Sequence, residues 1–190
     1  IFIAKLNSSG SWQWAVNAGG PLNSSAGDVA YDSGRGIAVD SSGNVYVTGT
    51  FRGTAPFGST ILTNNGEQDI FFAKLTRNGS WQWAISAGGS SDDGGHGVVV
   101  DSSGNAYVTG EFEGEAYFGN TLLNSSDRTD VFVAKLSPDS DGDGVGDDGD
   151  AFPNDANETL DSDGDGVGDN GDTFPNDANE TSDADGDGIG

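Results

Sequence analysis

The feature that most constrains this chain is an internal repeat that runs through 1–136. The segment IFIAKL at 1–6 recurs as IFFAKL at 70–75 and as VFVAKL at 131–136. VDSSGNVYVTGTF at 39–51 recurs as VDSSGNAYVTGEF at 100–112. Segments that recur in the same order indicate one supersecondary unit built several times, in which each copy buries its apolar face against its neighbours.

The spacing of the copies indicates one loop of variable length. The second and third copies of the first segment begin at 70 and 131, a shorter interval than the one from 1 to 70. The difference arises because the stretch 21–40 is longer than its equivalent, 90–101. Since insertions are tolerated where a chain runs over the surface, we predict a surface loop in this stretch.

Each repeat predicts four β-strands, since its apolar and aromatic segments are short and are bounded by turn residues. A Gly-rich excursion near 56–65 separates the second strand from the third. The apolar run at 98–100 has no alternation and predicts a strand covered on both faces. No segment has a helical period. In the second copy the four strands are GIAVD at 36–40, VYVTGTF at 45–51, DIFFAKL at 69–75 and GSWQWAISAGG at 79–89.

The run D-S-S-G-N-x-Y-V-T-G-x-F, flanked by D-x-F-x-A-K-L and W-Q-W-A, resembles the bacterial β-propeller repeat family that is named for seven-bladed propellers. The resemblance covers 1–136 and implies an all-β fold without any fixed chemistry. We expect a partial β-propeller of about two and a quarter four-stranded blades, with two strands of one blade in 1–20, a whole blade in 34–89 and three strands in 95–136.

Propellers close with about 4–8 blades, and this chain begins within a motif. We therefore expect a fragment of a longer protein, in which the sheets keep exposed edges. An open stack of blades is the alternative architecture.

The charge divides the chain into two regions at Ser137–Pro138. All seven Lys and Arg residues lie in 1–136, which has a net charge of −6, whereas 137–190 has 18 acids and no cation. We predict two domains, repeats at 1–136 and an acidic tail at 137–190. An overall charge of −24 argues against nucleic-acid and membrane-surface partners. The absence of Cys removes thiolate metal sites and cysteine nucleophiles, and no apolar run is long enough to predict membrane insertion.

The acids of the tail recur at a constant interval, in loops that begin at 139, 161 and 183. Each complete loop has Asp at positions 1, 3, 5, 9 and 12 and Gly at position 6, which is Gly144 or Gly166. Oxygen ligands at this spacing, with a backbone carbonyl at position 7 and a Gly that permits the sharp turn, are typical of calcium loops. The alternative is that the acids are only solvated, but an acidic segment without a metal site would not repeat Asp at the same loop positions in both copies.

The order D-x-D-G-D-G-x-x-D-x-x-D-x-x-P-x-D resembles the thrombospondin type 3 repeat in its bacterial form, over 139–190. Dockerins share the calcium loop, but there a helix follows it, and Pro153 and Pro175 disfavour a helix here. The resemblance implies calcium-ordered chain with little regular secondary structure, in secreted or surface proteins associated with adhesion. Asp155 and Asp177 match a later Asp of that family, and whether they complete a neighbouring site is left open.

We therefore predict calcium as the cofactor, with the third loop binding weakly because the sequence ends before its positions 9 and 12. Binding of metal is also expected to order the tail, since its acids repel one another without it. The predicted ligands are Asp139, Asp141, Asp143, Val145, Asp147, Asp150, Asp161, Asp163, Asp165, Val167, Asp169, Asp172, Asp183, Asp185 and Asp187.

Residues suited to catalysis are few. The single histidine, His96, enters a predicted strand and is expected to be structural or solvent-facing. Glu111, Glu113 and Glu115 alternate along one strand, but another repeat has Thr, Arg and Thr there, so a solvated edge is expected. The four Trp residues recur within strands and predict a core between blades rather than a sugar-binding surface.

The sequence thus predicts a non-enzymatic, calcium-binding, exported bacterial protein at the cell surface or outside the cell. In the leading hypothesis a propeller module for recognition or adhesion, with a cell-surface or polysaccharide ligand, is joined to a calcium-stiffened stalk. The alternatives are a purely structural spacer and an accessory region of a secreted hydrolase whose catalytic part lies elsewhere.

Overall fold

The computed structural model describes residues 1–20 and 32–183, and no described residue is helical. Accordingly, no described helix is long and apolar enough to cross a membrane. The predicted all-β fold class is confirmed. The predicted variable loop falls mostly on 21–31, outside the described residues. The chain divides into two compact units, Ile1–Lys135 and Leu136–Gly190.

The described part of the first unit consists of short antiparallel strands. They are β1 (Phe2–Leu6), β2 (Trp12–Asn17), β3 (Ser33–Val39), β4 (Val45–Phe51), β5 (Thr54–Phe57), β6 (Thr60–Thr63), β7 (Asp69–Leu75), β8 (Trp81–Gly89), β9 (Gly94–Val100), β10 (Ala106–Phe112), β11 (Glu115–Phe118), β12 (Thr121–Asn124) and β13 (Asp130–Leu136).

The predicted complete blade is the meander β3–β4–β7–β8, in which each strand pairs antiparallel with the next. Its two middle strands are almost entirely buried, as their continuous runs of apolar and β-branched residues require. The pair β1–β2 forms the last two strands of the preceding blade, and the sheet β13–β10–β9 supplies three strands of the following one. The expected partial propeller is therefore confirmed.

The Gly-rich excursion of each repeat folds into a two-stranded hairpin, β5–β6 in one repeat and β11–β12 in the next. Each hairpin reaches back to the preceding repeat. Strand β11 pairs with β8, where Ala116 lies opposite Gly89. In the same way, the amide of Gly19 donates to the carbonyl of Pro56 at 3.2 Å. The sequence predicted no strands in these excursions, so the hairpins are an addition to the predicted blade.

The core of the complete blade is aromatic. Phe51 and Phe71 are fully buried, and the rings of Phe57 and Phe71 lie 5.0 Å apart. Trp81 meets Phe57 edge-on at 5.2 Å, which agrees with the predicted core role of this tryptophan. Trp12, its equivalent in the first copy, is instead 67% exposed.

The prediction that the strand at 98–100 is covered on both faces is wrong. Val98 is buried, but Val99 is largely exposed. Strand β9 is an edge strand of its sheet, and successive side chains of a strand point to opposite faces. One face of β9 is therefore open although the sequence is apolar on both.

The tail unit, in its described part, consists of turns and bends without a strand. Its hydrogen bonds repeat with the sequence. The amide of Asp147 donates to the carbonyl of Pro138, and the amide of Asp169 donates to the carbonyl of Leu160. Without strands, many backbone amides of the tail have no backbone partner. The aspartate side chains accept hydrogen bonds from these amides.

Candidate metal centres

Two glycines curl each acidic loop. Gly142 and Gly144 have φ values of 84° and 98°, and Gly164 and Gly166 have 80° and 93°. These values lie in the left-handed region, which side chains with a Cβ rarely adopt. The sequence singled out only position 6 of each loop, and the structure adds position 4 as a second turn point.

The curl brings three carboxylates of each loop to one point. In the first loop, one oxygen from each of Asp139, Asp141 and Asp143 lies within 4.8 Å of the others. In the second loop the same holds for Asp161, Asp163 and Asp165. The first three predicted ligands of each complete loop are therefore neighbours in space as well as in sequence.

The first aspartate of each loop also holds the turn. Asp139 Oδ1 accepts the amide of Gly142 at 2.7 Å, and its Oδ2 accepts the amide of Gly144 at 3.1 Å. Asp161 makes the same two bonds in the second loop. An Asp side chain that accepts nearby amides is the usual stabiliser of such turns, so position 1 has a structural role besides its predicted ligand role.

Asp141, Asp143 and Asp150 each use one oxygen and leave the other without a partner in the described chain. Asp143 Oδ1 accepts the amide of Val145 at 2.7 Å, and Asp150 Oδ1 accepts the amide of Phe152 at 2.8 Å. Their Oδ2 atoms, and that of Asp141, are buried and have no hydrogen-bond partner among the described residues.

The second loop repeats this arrangement at Asp163, Asp165 and Asp172. A buried carboxylate oxygen without a partner costs free energy, and a bound cation would remove that cost. The residues present thus fit a hard cation that takes oxygen ligands.

Mutual repulsion is visible in the electrostatics of the second loop. Partial burial, together with the like charges of Asp165, Asp172 and Asp161, raises the pKa of Asp163, although the amide of Asp165 opposes the shift. Like charges that are held together without compensation favour binding of a cation.

Position 9 of each loop makes hydrogen bonds that the sequence did not indicate. Both oxygens of Asp147 accept hydrogen bonds from Ser140, one from its amide and one from its hydroxyl, each at 2.8 Å. Asp169 and Ser162 form the same pair. These aspartates therefore brace the loop, as the aspartates at position 1 do, and their predicted ligand role stays a prediction. Ser140 and Ser162 were missed in the sequence, and their recurrence at position 2 was the available signal.

The other predicted ligands remain predictions. Val145 and Val167 lie in the loops, and their predicted contribution is a backbone carbonyl. Asp183 stands at the end of the described chain, and Asp185 and Asp187 lie outside the described residues.

The later aspartates of the tail are engaged locally. Asp155 Oδ1 accepts both the amide and the side-chain nitrogen of Asn157, and Asp177 does the same with Asn179.

The histidine belongs to a polar cluster formed by β3, β9 and β10 of the first unit. His96 Nε2 lies 2.6 Å from an Arg35 guanidinium nitrogen and 3.3 Å from Glu111 Oε1. Its side chain is partly exposed, in agreement with the expected solvent-facing position.

Comparison with known proteins bears on the first unit. A family model described as Beta-propeller repeat matches residues 26–50 and 82–111, which contain strands of two successive repeats. The matched segments do not reach the acidic tail. No curated protein matches the chain. The chain is therefore a repeat protein whose first unit has the fold of a partial β-propeller.

Proposed function

We propose that the tail binds calcium, with one ion at each of the two complete loops. The observation that carries this proposal is the set of buried, unpartnered Oδ2 atoms at positions 3, 5 and 12 of both loops. Oxygen donors alone, supplied by a flexible loop, suit calcium better than metals that prefer nitrogen or sulfur. The resemblance of the tail to thrombospondin type 3 repeats supports the same ion.

In this proposal Asp141, Asp143 and Asp150 hold the first ion together with Asp139. Asp163, Asp165 and Asp172 hold the second ion with Asp161. Calcium supplies the positive charge that the mutually repelling carboxylates lack, so its binding free energy becomes folding free energy of the tail. Extracellular modules of this kind bind calcium with Kd of about 10⁻⁴–10⁻³ M, and we expect the same range here.

The biological role that follows is binding rather than catalysis. We place the protein outside the cell or at the cell surface of a bacterium, where calcium is available at such affinities. The propeller-type unit acts in recognition or adhesion, and the calcium-ordered tail acts as a stiffened stalk. The resemblance to repeats of secreted, adhesion-associated proteins and the acidic, Cys-free composition support this role.

The calcium proposal is tested by titrating the full chain and the double variant Asp143→Asn/Asp165→Asn with calcium. Calorimetry is expected to find two calcium sites in the natural chain that bind much more weakly in the variant. Small-angle scattering is expected to show compaction by calcium that chelator reverses. Asp148→Asn is the control, because it removes a charge from the first loop outside the convergent set. Unchanged scattering at millimolar calcium would contradict the proposal.

The adhesion role needs a separate experiment. The full chain is immobilised and probed with bacterial cell-surface polysaccharides, in calcium and in chelator. Saturable binding in calcium supports recognition. Absence of binding, combined with calcium-dependent stiffness of the tail, would instead indicate a structural spacer.

A further inference from the structure

A small polar cavity lies in the first unit. A cavity of about 200 Å³ opens between the end of β8 and the hairpin β11–β12. Its walls include the side chains of Asn65, Asp69, Ser86 and Tyr117 and the backbone of Gly88. All of its polar side chains carry oxygen or amide groups, as a site for a hard cation requires.

Asp69 is the unusual member of this cavity. It is only 1% exposed, and one carboxylate oxygen, Oδ2, accepts the amide of Asn65 at 3.0 Å. The other oxygen, Oδ1, is buried and has no hydrogen-bond partner among the described residues. A buried, unpartnered carboxylate oxygen is strongly unfavourable unless a cation or proton meets it.

A second buried carboxylate lies close to Asp69, beside Gly88. Asp93 is 2% exposed; its Oδ2 accepts the amide of Gly89 at 2.7 Å, and its Oδ1 accepts the amide of Glu113 at 3.1 Å. Asp93 Oδ2 and Asp69 Oδ1 lie 2.8 Å and 3.0 Å from the point where a Cβ on Gly88 would stand. The glycine therefore leaves room in which two buried carboxylates approach each other.

Like charge adds to the unfavourable burial of the two aspartates. Burial raises the pKa of Asp69 to about 6, and the like charge of Asp93 adds to the shift against the amide of Asn65. Burial also raises the pKa of Asp93, although the amides of Gly89 and Glu113 oppose the shift, and Asp92 and Glu113 contribute further negative charge. The local field thus attracts a cation.

We infer that this cavity is a cation site, separate from the tail loops, that takes one divalent ion of the calcium class. Asp69 anchors the ion through Oδ1, and Asp93 supplies the second carboxylate. The ion links β7 with the segment that leads into β9 and with the hairpin of the next repeat. It therefore fastens two neighbouring repeats, which is a role that the tail sites do not have.

The next repeat supplies an internal control. Asp130 occupies the position equivalent to Asp69, but Ser126 stands where the earlier repeat has Asn65. The amide and the hydroxyl of Ser126 donate to Asp130 Oδ2 at 2.9 and 3.1 Å, and the hydroxyl also reaches Oδ1 at 3.4 Å. Both carboxylate oxygens of Asp130 thus have a hydrogen-bond donor, whereas Oδ1 of Asp69 has none among the described residues.

The site is tested in the full chain with Tb³⁺ as the probe and calcium as the competitor. The tail has no Trp or Tyr, whereas Tyr117 lines the cavity, so emission sensitised by aromatic side chains favours this site. The tail loops are disabled by Asp141→Asn, Asp143→Asn, Asp163→Asn and Asp165→Asn. Asp69→Asn and the control Asp130→Asn are then compared in this background.

We expect one calcium-competed Tb³⁺ site to survive in the tail-disabled chain and in Asp130→Asn. Asp69→Asn is expected to weaken it by at least about tenfold, in line with the loss of a ligand. Equal emission from Asp69→Asn and Asp130→Asn would overturn the inference, as would the absence of any site once the tail is disabled. Because the tail loops and Asp69 are altered separately, failure of the tail sites and failure of this site give different results.

Folding of the variant is checked separately, by near-ultraviolet circular dichroism of the tryptophans. If Asp69→Asn does not fold, Tyr117→Phe provides the second test, since it leaves both carboxylates in place. It is expected to lower sensitised emission while calcium competes at the same concentration. Unchanged emission in Tyr117→Phe would contradict a site in this cavity.

Discussion

Val131 on β13 occupies the position that Ile70 occupies on β7, yet Ile70 is 2% exposed and Val131 is 84% exposed. The difference arises from the next repeat. A Cβ added to Gly95 of β9 would lie 3.1 Å from Ile70 Cγ2, so that repeat covers Ile70. Within the described residues nothing covers Val131 in the same way.

At the other end of the repeat array, the first strand exposes an apolar side chain on its opposite face. Phe2 on β1 is 78% exposed, whereas Phe71, its equivalent on β7, is fully buried. Because the back face of one repeat packs on the front face of the next inside the chain, the two open faces match each other. An open apolar face of this kind favours association.

We therefore expect the isolated chain to associate head to tail with further copies as its concentration rises. Val131→Lys/Val133→Lys is expected to weaken this association by at least about tenfold, since two Val side chains lose their burial. Sedimentation velocity measures the effect. Ile61→Lys is the control, because Ile61 is an exposed apolar residue on a hairpin away from the end faces. Equal weakening by the control would contradict an association through the end faces.

Positions 5 and 9 of the two complete acidic loops are expected to differ in their effect on the proposed calcium affinity. Asp143→Asn removes a buried, unpartnered oxygen and is predicted to weaken calcium binding to its loop strongly. Asp147→Asn alters a brace to Ser140 and is predicted to weaken it less, by about tenfold or below. Calorimetry on the two variants gives the ranking, and a larger effect of Asp147→Asn would show that this aspartate binds the ion directly.

Asp69 is expected to make stability depend on pH when calcium is absent. Its folded pKa of about 6 lies above the ordinary 3.8, so the folded chain retains a proton that the unfolded chain releases between these values. The free energy of unfolding therefore falls as the pH rises through this window, by up to about 3 kcal/mol.

Urea denaturation in chelator, below pH 4 and above pH 6, measures this dependence. Asp69→Asn is expected to lose this part of the pH dependence and to be more stable than the natural chain above pH 6. Asp130→Asn, whose carboxylate is satisfied by Ser126, serves as the comparison. Identical pH profiles for the natural chain and Asp69→Asn would refute the prediction.

Gly49 is expected to tolerate no side chain. A Cβ at this position would lie 1.9 Å from the carbonyl oxygen of Ser33, in the adjacent strand of the blade. Gly49→Ala must therefore push β3 away from β4, and we expect a loss of several kcal/mol or failure to fold. Gly53→Ala is the control, since its Cβ meets nothing and it carries only the roughly 1 kcal/mol penalty of its left-handed φ. Thermal denaturation compares the two variants.

Much of the repeat architecture could be predicted from the sequence because its signals are local and recur. The alternation of apolar segments with Asp-Ser-Ser-Gly-Asn turns indicated the four blade strands within a few residues. The hairpin strands such as β5 could not be predicted, because they are very short and have Pro56 within them and Gly58 beside them. The exposure of Val99 likewise depends on which neighbour is present and not on the strand itself.

The candidate site was likewise predictable only in part. The spacing of Asp139, Asp141 and Asp143 was sufficient to predict that they converge, since the turn between them is local. The role of Asp147 was not predictable from spacing alone, because it depends on the competing hydrogen bonds of Ser140. The cavity around Asp69 has no sequence signature, since it joins residues from two repeats and arises only in the folded sheet.

The backward reach of the hairpins has a consequence for how such arrays change over evolutionary time. Each hairpin donates its edge to the preceding repeat, so the seam between neighbouring repeats is made by the same duplicated segment every time. A gene duplication that copies a whole repeat therefore also copies the hairpin through which that repeat contacts the preceding one. Arrays of this kind gain or lose repeats without needing a new interface, and selection acts on their length separately from their sequence.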